Sequence, residues 1–198
     1  MPTPTWPATL NPSSVEWRLV SNTSRFVSPF NGAVETQERP GARWQVTLGY
    51  DQWRREDIAE YEAFLVALRG SAGRFYLWNH ARETIRGYLG APQFKSLDQG
   101  TGQLVTGNWP ANRSGVLLKG DMIGVGGELK MVVEDANSDG GGTAWVQAEP
   151  PLRTTPPLDT PIVITKAAGL FMLLDDDQAG FSYQGPLGGF SIQVMEAF

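Results

Sequence analysis

The sequence predicts a mainly β protein with a single α-helix, and three observations carry that prediction. Short runs in which apolar residues alternate with polar ones recur along the 198 residues. Turn formers punctuate them, with 23 Gly and 14 Pro, well above the usual share of a globular chain. Only one stretch departs from the period of two and takes up helical spacing.

Taken in order, residues 1–20 read as an N-terminal extended arm, rich in Pro and Thr at first, with Val15, Trp17 and Leu19 on one face of a short strand near its end. Ser24 to Phe30 is a second extended segment, and Pro29 marks its edge or end. Asn31-Gly32 is a two-residue hairpin signal leading into residues 33–38. Pro40-Gly41 turns the chain again, and Trp44, Val46 and Leu48 alternate toward a core. The helix is expected over about 53–69: Ile58, Tyr61, Phe64 or Leu65, and Leu68 share one stripe, with Asp51 as the cap and Gly70 as the stop. A strand at residues 74–78 follows.

Beyond Tyr88 Gly is frequent and Arg rare. Residues 122–125 and 129–134 flank Gly126-Gly127 as a hairpin, and a turn at 136–142 leads to a third strand over 143–148. Five prolines between Glu149 and Pro161 read as a stiff connector. Residues 162–165, 170–174 and 190–195 read as the last strands. The domain organisation expected from this pass is the arm at 1–20, a discontinuous β domain with the helix at 21–92 and 161–198, and an inserted β module at 93–160. A simple tandem of two domains fits the same residues.

The formal charge of −5 is unevenly spread. Residues 1–90 carry ten Arg and no Lys against nine acidic side chains, whereas residues 91–198 carry six basic against twelve acidic. Neither part has a basic stripe, so nucleic-acid binding lacks electrostatic support. No apolar run reaches the length of a membrane span, and residues 1–10 lack the pattern of a signal peptide.

The absence of Cys excludes disulfides, thiol nucleophiles and cysteine metal sites, and a single His, His80, excludes multi-histidine centres. A triad would have to run through His80, yet no Gly-x-Ser-x-Gly elbow accompanies it. Asp135-Ala-Asn137-Ser-Asp139-Gly140 opens like a calcium loop, but position twelve is Val146 where a bidentate acid is needed, and the same residues suit a β-turn. Asp175-Asp176-Asp177 reads as a solvated turn. Gly124 to Gly127 lacks the spacing of a dinucleotide loop. Asp and Glu are plentiful, so a pair of carboxylates for glycoside hydrolysis stays open on sequence alone. Trp17, Trp44 and Trp145 sit in alternating patterns as core residues, the alternative being sugar stacking. No catalytic, cofactor-binding or metal-binding residue is assigned, and no interface residue either.

Three sets of segments taken in order resemble a known family. They are Ser24-Arg-Phe-Val-Ser-Pro-Phe-Asn-Gly32 with Arg39-Pro-Gly-Ala-Arg-Trp44; Ala63 to Gly70 with Gly73-Arg74-Phe75; and Leu118 to Ile123, Gly126-Gly127, Val132 to Ala136, Asp139-Gly140 and Glu149 to Arg153, closing on Phe190-Ser-Ile192 and Glu196-Ala-Phe198. In this order they resemble distal tail proteins of long-tailed, siphovirus-type phages and prophages. The resemblance implies a tail-tube-like β-sandwich or split barrel with one helix and an inserted small β-barrel. It also implies a structural, non-enzymatic virion protein: a ring, commonly of six copies, joining the tail tube protein to the tail-tip hub protein and fibres, assembled in the host cytoplasm. The Asp175–Asp177 run and the long Gly-rich insertion depart from it. Other readings are a carbohydrate-binding tail module stacking glycans on Trp109 or Trp145, a glycan-degrading enzyme, and the tail-tube subunit itself.

Overall fold

A computed structural model describes residues 3–98, 102–178 and 180–197. Residues 1–2 of the expected arm and Phe198 of the closing motif lie outside the described residues, as do 99–101 and 179. Along the chain run β1 (Ser14–Val20), β2 (Thr23–Val27), β3 (Val34–Glu38), β4 (Arg43–Arg54), α1 (Arg55–Leu68), β5 (Phe75–Trp78), β6 (Gln93–Leu97), β7 (Leu104–Gly107) and β8 (Met122–Val125). Then come β9 (Glu128–Val132), β10 (Ala144–Val146), β11 (Ala148–Glu149), β12 (Ala168–Leu173), β13 (Phe181–Gln184) and β14 (Leu187–Glu196). The protein is mainly β with one α-helix. It divides into two compact units: Met1–Asn11, Gly73–Phe171 and Ala197–Phe198 in one, Pro12–Ala72 and Met172–Glu196 in the other.

In the helix-bearing unit β4 is central, flanked by β1 and β14 in antiparallel register, and β13 folds back on β14. The alternation read at Trp44, Val46 and Leu48 faces inward, and Tyr50 extends it. Tyr50 stacks on Phe190 at 4.7 Å and meets Tyr61 of α1 at 5.0 Å between ring centroids. Ile58, Tyr61, Leu65 and Leu68 bury one stripe of the helix, at the spacing an amphipathic helix requires.

The ends of that helix differ from expectation. Asp51 does not cap it, because β4 stays paired with β14 as far as Arg54 opposite Leu187. Arg54 is the N-cap and makes no capping side-chain bond; the Arg55 N–H donates to Pro186 O at 3.3 Å. At the other end Arg69 itself turns left-handed, φ 56°, one residue before Gly70.

In the other unit two three-stranded sheets, β10-β7-β6 and β11-β9-β8, enclose one core that includes Phe94, Leu104, Trp109, Ile123, Val132 and Val146. The run Ala144–Glu149 passes from the first sheet to the second across Gln147. The Gly126-Gly127 hairpin forms between β8 and β9 as read. Residues 162–165, read as a strand, make only isolated bridges, such as Val163 with Gly124.

The proline connector is anchored by a buried cation. Lys130, fully buried, donates to Pro151 O at 2.9 Å and pairs with Glu128, which also holds Arg153.

The first dozen residues, read as an arm outside the core, are corrected at Trp6. Trp6 is buried, its ring packs on Phe75 at 5.4 Å between centroids, and its backbone N–H donates to Tyr76 O at 2.8 Å. The short strand read at Val15, Trp17 and Leu19 is β1, Ser14–Val20. Composition marked the Pro and Thr, but the large apolar area of one Trp decides where the segment goes.

Candidate assembly interface

The feature least explained by the fold is the ribbon of β2 and β3. It continues the β1–β4 pair, which ends at Val20 opposite Arg43. Two contacts bridge the joint: the Arg39 N–H donates to Asn22 O at 2.7 Å, and Asn22 Nδ2 donates to Pro40 O at 2.8 Å. The ladder then resumes from Thr23 opposite Glu38 to Val27 opposite Val34.

The tip is wider than the two-residue turn expected from Asn31-Gly32. The Ser28 N–H donates to Ala33 O at 2.8 Å, leaving four residues between them. Gly32 takes φ +70° there, and Asn31 Oδ1 accepts the Ala33 N–H at 3.0 Å, so both residues serve the turn at its second half. Pro29, lacking an N–H, forces the chain out of the ladder early.

β2 and β3 form a two-stranded sheet of their own, so among the described residues both outer edges are unpaired. Residues opposite one another in a ladder share a face. Val27 and Val34 therefore lie on one face, Phe26 with Glu35 on the other, and Phe30 stands at the tip. Phe26 is 64% exposed and Phe30 97%. An isolated two-stranded hairpin is marginal in water, and this one carries apolar side chains on both faces.

A second open edge lies in the same unit. β1 ends the sheet, and its exposed residues Ser14, Glu16, Arg18 and Val20 alternate with half-buried Val15, Trp17 and Leu19. Arg18 also donates to Gln45 Oε1 across the ladder at 3.1 Å.

The residues weighed for chemistry are dispersed. His80 packs on the Trp78 ring at 4.9 Å, and neither ring nitrogen has a hydrogen-bond partner. Burial lowers its pKa to about 4, the Glu83 charge opposing that shift and Lys166 adding to it.

One side-chain oxygen of each of Asp135, Asn137 and Asp139 in the calcium-like run is turned to backbone. Asp135 Oδ1 accepts from the Lys119 N–H, Asn137 Oδ1 from Gly115 and Asp139 Oδ1 from Gly141 and Thr143, all at 2.8 Å. Within the acidic run, Asp176 accepts from Ser71 N–H and hydroxyl, which hold its carboxyl below the usual range.

The tryptophans separate by position. Trp44 is buried, with Trp17 edge-on to it at 5.9 Å between centroids. Trp109 is buried too, its indole N–H donating to Thr106 Oγ1 at 2.8 Å, so it offers no face to a sugar. Trp145 is 47% exposed, contrary to its reading as a core residue. In β10 the small Ala144 and Val146 point inward and Trp145 outward.

Sequence reasoning missed Asp121, whose side chain is buried. It accepts N–H groups from Leu118 at 2.9 Å, Arg86 at 3.0 Å and Gly87 at 3.3 Å, tying two loops together beside a shallow cleft lined by Arg82, Thr84 and Gly120. Leu-Lys-Gly-Asp gave no signal of partners more than thirty residues away. Arg82 and Arg86 reach from the same cleft to the carbonyls of Gly120 and Lys119.

No family model matches the chain, and no curated protein matches it.

Proposed function

We propose that this chain is a structural subunit that assembles through the β2–β3 ribbon into a ring, the role of a distal tail protein in a long-tailed phage. The single observation supporting the reading is that ribbon: two open edges, apolar residues on both faces, and an exposed phenylalanine at its tip. Burying Phe26 and Phe30 against another copy contributes on the order of 2–3 kcal/mol each. The order of sequence segments supports the tail setting, with a tube protein on one side of the ring and hub and fibres on the other.

Negative-stain electron microscopy and light scattering of the purified protein test the reading. A closed ring, about six times the chain mass, is expected. Phe26→Ser with Phe30→Ser is expected to give a folded monomer with an unchanged circular dichroism spectrum. A wild-type monomer at millimolar concentration refutes the assembly, and a stacked tube points to the tube subunit.

A further inference from the structure

The ribbon needs an edge to pair with, and the chain carries one. We infer that the free edge of β3 adds in antiparallel fashion to the free edge of β1 in the next copy, an inference that rests on the assembly reading above. Every copy then gives a ribbon on one side and receives one on the other, a head-to-tail contact that closes into a ring when the rotation permits.

Pattern and charge select this pairing. In a ladder, opposite residues share a face, so polar and apolar alternations must be in phase. Setting Glu35 opposite Arg18 of the next copy does this: Val34 then falls opposite Leu19, and Thr36 opposite Trp17. The half-buried row of β1 meets the face of the ribbon that carries Val27 and Val34, with Leu19 opposite Val34 and Trp17 opposite Thr36, while Val15 at the far end falls opposite Glu38. The other face sets Arg18 against Glu35, opposite in sign, with Phe26 beside Glu35. A slip by one residue places Glu35 against the apolar row of β1 and Val34 against the charged one. Edge addition of this kind takes its affinity from main-chain hydrogen bonds and its register from the side chains.

The lack of native Cys makes the test direct. Arg18→Cys and Glu35→Cys chains are prepared separately, mixed and oxidised. A disulfide-linked pair is expected in the mixture and in neither variant alone; a chain carrying both substitutions is expected to give a ladder ending at the ring size. Charge reversal supplies a second measurement that does not depend on disulfide geometry. Arg18→Glu or Glu35→Arg alone is expected to raise the concentration needed for half-assembly by about tenfold, and the two together to restore it.

Cross-linking of Glu35→Cys with itself overturns the inference in favour of a ribbon-to-ribbon contact. An assembled ring with no link through position 18 and no charge rescue overturns it while leaving the assembly reading standing. A wild-type chain that never assembles removes both.

Discussion

Replacing Asp121 by Ala is expected to cost the two-sheet unit about 3–4 kcal/mol. The side chain is 1% exposed and accepts three backbone N–H groups besides Arg86 Nε at 3.2 Å. Hydrogen bonds to a charged acceptor contribute about 1.5–3 kcal/mol each, reduced here because the donors lie in partly exposed loops that water can reach. The Arg86 guanidinium contributes little, since its side chain is 63% exposed and such pairs rarely exceed about 1 kcal/mol. Arg86→Ala therefore separates the two causes, and Asp121→Asn, which keeps one carbonyl acceptor, is expected to lose about half as much as Ala. In a chain of this size 3–4 kcal/mol corresponds to a fall of roughly 6–15 °C in Tm. Urea unfolding followed by Trp fluorescence measures the loss, and faster hydrogen exchange at the Gly87 and Leu118 amides localises it. A loss below 1 kcal/mol, or an equal loss from Arg86→Ala, refutes the idea that the carboxylate knots these loops through their backbone.

Three further outcomes are expected. The His80 pKa near 4 lies below its unfolded value, so the unfolded chain binds the extra proton first as the solution is acidified. Stability is complete above about pH 6.5 and falls as pH drops toward 4; in Tm measured against pH, His80→Gln should lessen that slope, and an unchanged slope would exonerate the ring. Trp109→Ala should cost about 3–5 kcal/mol in urea unfolding and Trp145→Ala under about 1 kcal/mol. A glycan array that lights up with wild type and goes dark with Trp145→Ala would instead favour the carbohydrate reading. Calcium should leave Tm unchanged, while Asp139→Ala lowers stability by about 1–2 kcal/mol through the loss of two turn bonds; a calcium-dependent rise in Tm of several degrees would reverse that assignment.

Local pattern was legible wherever the chain's own period decides the structure. The stripe from Ile58 to Leu68, the alternation at Trp44, Val46 and Leu48, and the Gly126-Gly127 hairpin all depend on neighbours a few residues away. Contacts across long separations were not legible. Asp near a helix start favours a cap, but at Asp51 the pairing of β4 with β14, more than 130 residues later, overrides that preference. Trp145 alternates as a buried residue does, yet which face of β10 meets the core is settled by the sheets around it. Trp6 sits in a Pro- and Thr-rich context, and it is a contact far along the chain, with Phe75, that packs it into a core. For the candidate interface, the sequence marked Ser24 to Gly32 as extended and turned; that both edges of the resulting ribbon stay unpaired is a fact of strand order.

By itself, then, the amino-acid sequence determined the class of the protein: mainly β, one helix, no thiol chemistry and no multi-histidine metal centre. Residue type and short-range spacing suffice for that. The tertiary structure alone decided that Asp121 is buried, that Trp109 faces the core and Trp145 the solvent, and that β1 and the ribbon end in open edges. Burial and edge pairing depend on which distant strands come to lie side by side, and no local spacing encodes that.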